Sequence, residues 1–193
     1  MAEKNQKQEK YHAFAEATLK LIFHRGEEAA THTQTARAAG VSRAWVYKYV
    51  GSERSDILEF AIDYFGKLFV GLETPFEKMN RSNWRDVLLR RTHDFLTRTH
   101  NNRWIIPLYY RFKGTDSVIG RRLDRIESAY AAKLEAELLP ILGKNDLRRV
   151  QAICEVLTAL RLGLAFRLSG YRARGSAQID ELVEVLGRWL VRS

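Results

Sequence analysis

Along most of the 193 residues, apolar side chains return every three or four positions, the spacing of one face of a helix. Tyr11, Phe14, Leu21 and Ile22, with Thr18 between them, set this rhythm first. A helix is therefore expected from about Lys10 until Gly26 ends it, with polar residues 1–9 frayed ahead of it. Thr31 or Thr33 can cap a short second helix carrying Ala36, Ala38 and Ala39, and Gly40 then supplies a tight turn. Ser42 is a good N-cap for a third helix over roughly residues 43–49. Gly51-Ser52 breaks that helix, and a long stripe of Ile57, Leu58, Ala61, Ile62, Phe65, Leu68, Phe69 and Leu72 follows from about Ser55 until Pro75. Further helices are expected at about 82–99, 117–138, 146–169 and 177–191. Pro107 should interrupt the aromatic piece RWIIPLYYRF, and Pro140 should end the 117–138 helix. No stretch alternates with period two between hairpin turns, so the expected fold class is all-α.

The short third helix stands out by its side chains. Two short helices joined by a Gly-containing turn, the second exposed and basic, fit a helix-turn-helix. Small Ala36, Ala38 and Ala39 let the second helix lie close to the third, with Val41 and Val46 plugging the core between them. Arg43, Ala44, Trp45, Tyr47 and Lys48 are left on the outside. That set offers a bidentate donor for guanine, a small residue for close approach, aromatics and an amine for phosphate. Trp45 has two readings: it meets a thymine methyl or sugar, or it folds back onto the second helix. On a generic helix Arg43 and Lys48 would simply be a solvated face, and Tyr49, Val46 and Val50 read as core.

These residues fall in an order that is specific. Residues 10–58 resemble the DNA-binding domain of TetR-family transcriptional regulators: Gly26, Thr31 and Ala36, then Ala39-Gly40-Val41-Ser42, then Val46-Tyr47-Lys48-Tyr49-Val50, then Gly51-Ser52. The departures are Thr35 where an aliphatic residue is usual, Trp45 where a small or hydroxyl residue is usual, and Glu53-Arg54 in place of a phosphate-binding Lys. The resemblance implies a three-helix DNA-binding domain over residues 1–55 (helix-turn-helix about 31–50). A long helix should join it to a helical effector-binding and dimerisation domain over 56–193. It also implies DNA contacts from Thr31, Thr33, Gln34, Ser42, Arg43, Ala44, Trp45, Tyr47, Lys48 and Arg54.

Composition agrees with a polyanionic partner. The formal net charge is +9 and the sequence pI about 9.8, which favours nucleic acid or an anionic surface without choosing between them. A single cysteine, Cys154, excludes an internal disulfide and reads as a small core residue on an apolar stripe. The start MAEKNQKQEK lacks the apolar core of a secretory signal, and no uncharged apolar run reaches the ~20 residues of a membrane span. A soluble, cytoplasmic protein without a membrane association is the expectation.

Beyond residue 56 no motif can be placed, and the resemblance supplies the rest. An apolar, partly aromatic effector pocket is expected from Trp84, Phe95, Trp104, Tyr109, Tyr110, Phe112 and Phe166, with His93 or Arg111 as polar anchors. The bland alternative is that these aromatics fill an ordinary core. A homodimer reading a palindromic operator is expected to pair through the last two helices, at Leu157, Leu160, Leu164, Leu182, Leu186 and Trp189. The function expected is a sequence-specific regulator, a repressor released from DNA by a small apolar or aromatic effector. An effector-independent architectural DNA binder is the alternative. A helical enzyme has less support: the five histidines are scattered, and no His-Glu-x-x-His, paired cysteines or phosphate loop occurs. No cofactor or metal site is expected.

Overall fold

The computed structural model describes residues 2–72, 77–143, 147–170 and 177–192. Pro75 and the breaks between the later helices lie outside these residues. Among the described residues every regular element is helical. The described residues hold nine α-helices in order: α1 Ala2–Arg25, α2 His32–Ala38, α3 Arg43–Tyr49, α4 Arg54–Val70, α5 Trp84–Asn101, α6 Ile105–Phe112, α7 Val118–Leu142, α8 Leu147–Ser169 and α9 Ala177–Arg192. A 3-10 turn at Glu27–Ala29 separates α1 from α2. The all-α expectation holds.

Packing divides the chain into two units, residues 1–73 with 111–126, and residues 74–110 with 127–193. The first unit thus takes in more chain than residues 1–55, because α4 lies along α1 and the start of α7 is fixed to α4. Arg122 reaches Glu59 and Asp63 on α4, and an added Cβ at Gly66 would run into Ile126. The core of the helix-turn-helix is Phe14, Ala36, Val46 and Ile57, with Val41, Trp45, Val50 and Phe60 packed on it. In the second unit α8 and α9 both pack on α5. Its core joins Met79, Val87, Leu88, Leu134, Leu138, Val150, Cys154 and Leu157.

Three boundaries differ from the sequence reading, each for a physical reason. Helix α1 begins at Ala2 rather than near Lys10. Its Glu, Lys and Gln residues are good helix formers, and the Tyr64 hydroxyl of α4 holds Gln8 at 3.2 Å to the carbonyl and 3.1 Å to the side chain. Pro107 does not interrupt α6 but sits in its first turn, where a backbone N–H would have no intrahelical acceptor. Pro140 lies inside the last turn of α7 rather than after it. The lost hydrogen bond and ring clash, ~3 kcal/mol in a helix interior, are offset by Leu134 and Leu138 in the core and by Leu139, Ile141 and Leu142 packed against it. Asn80-Arg81-Ser82, which matches a glycosylation sequon, is a turn: the Asn80 side-chain oxygen accepts from the Ser82 and Asn83 backbone N–H groups ahead of α5.

Candidate functional site

The turn between α2 and α3 is built by local chemistry. Thr31 accepts from the Gln34 N–H at 3.3 Å and Ser42 from the Trp45 N–H at 3.1 Å, so both helices start on side-chain caps worth about 1 kcal/mol each. Between them Gly40 takes φ 66°, and the Val41 N–H reaches back to the Ala36 carbonyl at 3.0 Å. That is the six-to-one closure of a helix end, which needs the left-handed residue. Thr35, at the position where an aliphatic residue is usual, is satisfied locally. Its hydroxyl donates to the Thr31 carbonyl at 2.7 Å, and the side chain is fully buried. After α3, Gly51 leaves room for the Asp56 carboxyl, which accepts from the Glu53 N–H at 2.9 Å.

With Val46 fully buried, α3 presents Arg43, Ala44, Tyr47 and Lys48 outward. Arg43 makes no hydrogen bond or ion pair among the described residues. Thr31, Thr33, Gln34 and Ser42 are exposed at the starts of α2 and α3. Trp45 turns the other way. It packs on α1, with ring centroids 5.6 Å from Tyr11 and 5.7 Å from Phe14. Trp45 is therefore half-buried core rather than a free contact, and the large ring replaces a small residue because α1 offers two aromatic partners. Tyr49 is the reverse case, expected in the core and found 37% exposed. Two ammonium groups flank its ring, Lys7 at 5.0 Å and Lys48 at 5.1 Å.

Arg54 has a partner of its own. Its two terminal nitrogens reach both carboxylate oxygens of Glu28 at 2.8 and 3.0 Å, tying the start of α4 to the 3-10 turn. That bidentate pair draws the guanidinium away from a phosphate role. Two residues that sequence reading passed over belong to the site. His32 stacks on Tyr47 at 4.4 Å with planes 9° apart, and its Nε2 lies 3.0 Å from the Gly51 carbonyl, so it fixes the Tyr47 ring. Lys7 is the other, brought beside α3 only because α1 extends past residue 10.

The proposed pocket residues are divided between the two units, Arg111 and Phe112 in the first and the others in the second. Trp84 opens α5, whereas Trp104 follows its other end. Trp84 packs on the second unit's core, whereas Phe112 belongs to the first unit. Tyr110 and Phe166 form an edge-to-face pair at 5.4 Å, yet each is about half exposed, 48% and 55%. Tyr109 donates to Glu127 at 3.4 Å, and Phe95 and Trp104 are half-buried. His93 Nε2 bonds Asp180 of α9 at 3.1 Å, which makes it a helix tie. Arg111 is exposed in the first unit. A groove of about 730 Å³ does occur between α1 and α2, lined in part by Ala17, Lys20, Arg25, Gln34 and Arg37.

On α8 the stripe Val150, Cys154, Leu157, Arg161, Ala165 and Leu168 faces inward. Leu157 consequently fills the chain's own core and is not free for a partner. Leu160, Leu164, Leu182 and Leu186 are half-buried, and the Trp189 side chain lies outside the described residues. The outer face of α8 instead carries Ala152, Val156, Ala159, Gly163 and Phe166, and α9 adds Val185, with Val156 50% and Val185 64% exposed. Burial raises the Cys154 thiol from its ordinary 9.0 to about 11, with Glu135 adding to the rise and Arg161 opposing it. Its thiolate fraction at neutral pH should fall by about a hundredfold. Cys154 is expected to alkylate with iodoacetamide far more slowly in the native protein than after denaturation, as mass spectrometry over time would record.

No helix among the described residues is long and apolar enough to cross a membrane. No family model matches the chain, and no curated protein matches it in sequence. Solved structures do match in fold. One is a TetR-like transcriptional regulator from Rhodococcus sp. RHA1, 20% identical, with a TM-score of 0.60 over 95% of this chain and 96% of that one. Another is the fatty acid degradation regulator FadR from Bacillus halodurans, 16% identical, with a TM-score of 0.62 over 92% of this chain and 97% of that one. With its capped helix-turn-helix and all-helical remainder, the chain has the fold of a TetR-like transcriptional regulator.

Proposed function

We propose that this protein is a cytoplasmic, sequence-specific DNA-binding regulator, a repressor that a small-molecule effector releases from its operator. The observation that carries the reading is the outer face of α3. Arg43, Ala44, Tyr47 and Lys48 point outward while Val46 and Trp45 anchor the helix from behind. The fold neighbours are themselves regulators, one of fatty acid degradation. In this reading residues 1–55 are the DNA-binding domain and residues 56–193 the effector and dimerisation domain.

Helix α3 enters the major groove, where Arg43 reads base edges and Ala44 permits close approach. Tyr47, Lys48, Lys7 and the hydroxyls of Thr31, Thr33 and Ser42 hold backbone phosphates, with Gln34 beside them. Such contacts fix register and dominate salt dependence. A homodimer sets two α3 helices ~34–36 Å apart, or a multiple of that, on a palindromic site. Helix α7 contributes residues to both units, and its Arg122 holds α4. An effector that shifts α7 therefore has a route to α3, provided it binds the released state more tightly.

Sequences selected from a random DNA pool should share a palindrome. Arg43→Ala should lose about 1–3 kcal/mol of operator binding and relax the preference at one base pair per half-site. Lys48→Ala and Lys7→Ala should weaken all sequences alike, each lowering the salt slope by about 1. Normal operator binding by Arg43→Ala in a gel-shift assay would refute this placement of α3. The scatter of the aromatic residues favours one second reading, a DNA binder without an effector. Operator affinity unchanged by every bound compound would decide for it.

A further inference from the structure

Arg161 is only 4% exposed, yet it has no carboxylate partner among the described residues. Its Nε donates to the Thr92 hydroxyl at 2.8 Å, one Nη to the Leu88 carbonyl at 3.1 Å, and the other Nη to the Tyr130 hydroxyl. All three acceptors are neutral. A guanidinium stays protonated in any protein environment, so a full positive charge sits inside the second unit without an ion-pair partner among the described residues. Buried charges are normally paired, and an unpaired one costs several kcal/mol.

Donors also outnumber acceptors here. Of the five N–H groups of Arg161, three are used and two remain. Tyr130 receives a proton from Arg161, and its own hydroxyl proton has no acceptor among the described residues. Thr92 already gives its proton to the Leu88 carbonyl at 2.7 Å, so it offers nothing further. Two guanidinium protons and the proton of the half-buried phenol therefore have no acceptor among the described residues. Around them lie Leu88, Leu134, Leu157 and the rest of the apolar core. The half-buried Tyr130 is the side from which an occupant can enter.

We propose that Arg161, with Tyr130, is an anion subsite, and that the effector is a carboxylate with an apolar body. The carboxylate takes the free Arg161 protons and the Tyr130 proton, and the body replaces side chains of the surrounding cluster. This rests on reading the second unit as an effector domain, and it names the chemical class of that effector. A plain helix clamp would account for the three existing bonds. It would not account for a charge left without a counterion.

The test compares decanoate with decanamide by calorimetric titration and thermal shift of the full-length protein. The acid is expected to bind at least about thirtyfold tighter than the amide, as for a buried hydrogen-bonded charge pair. Arg161→Met should erase that preference, Arg161→Lys should keep part of it, and Tyr130→Phe should reduce it. If Arg161→Met does not fold, the wild-type preference and Tyr130→Phe decide alone. No acid preference in the wild type, through equal binding or none, overturns the proposal, and so does an undiminished preference in Arg161→Met. Operator binding is measured separately. An acid preference in a protein that binds no DNA leaves this subsite standing and sinks the regulator reading.

Discussion

Phe14→Ala is expected to destabilise the helix-turn-helix by about 3–5 kcal/mol. Phe14 is fully buried on α1 and is the point at which α1, α3 and α4 meet. Its ring lies 5.7 Å from Trp45 on α3 and 5.8 Å from Phe60 on α4, and it shares a cluster with Ala36, Val46 and Ile57. Removing it leaves a cavity that Ala36 is too small to fill and that capped, seven-residue helices cannot easily collapse into. Hydrogen exchange of amides in α1, α3 and α4 reports local opening directly, and these should lose protection while those of α5 and α8 change little. Operator binding should fall with that protection, although Phe14 touches no DNA in the proposed complex. Phe14→Leu, which refills most of the volume, should restore most of both. A Phe14→Ala protein with unchanged protection would mean that α3 is held by Tyr11 and Trp45 rather than by this cluster.

The helix-turn-helix half was legible in the sequence because its signals are local. Ser42 caps α3 and Gly40 turns the chain with no help from distant residues, so reading them in order was enough to place the helix. What depended on distant partners was not legible. Trp45 could be placed only by knowing that Tyr11 and Phe14 stand opposite it, and Arg54 only by knowing that Glu28 lies within reach. Aromatic residues between 84 and 166 suggested one pocket because composition carries no direction. Rotation about α5, α6 and α8 sends Phe166 outward, Trp84 onto the core and His93 to Asp180. Arg161 did leave a signal. It stands four residues after Leu157 and four before Ala165, on the same stripe as Cys154 and Leu168. A charge at a core position of an amphipathic helix is the pattern that should have raised the question of its counterion.

Gly163→Arg is expected to convert a dimer into a monomer and to lower operator affinity by about 10²–10⁴-fold. Glycine in a helix interior costs roughly 1 kcal/mol against alanine, so its presence in α8 asks for a reason. At Gly187 of α9 the reason is inside the chain, since an added Cβ would press on Leu89 at 3.2 Å. At Gly163 no described residue beyond its chain neighbours and its own helix backbone lies within 4 Å of that position. Ala152, Val156 and Ala159 continue the same exposed face, and Val156 and Phe166 are at least half exposed. A second copy of α8 crossing there would bury these side chains and use the missing Cβ for close approach. The substitution suits the test because the position is open in the single chain, so an arginine there should not disturb folding. Sedimentation should then show monomers with unchanged helix content. Each α3 would bind a half-site without the effective concentration that pairing supplies. Circular dichroism and selection of half-site DNA separate this outcome from unfolding. A Gly163→Arg protein that remains dimeric would place the interface elsewhere, with the half-buried Leu182 and Leu186 of α9 as the next positions to charge.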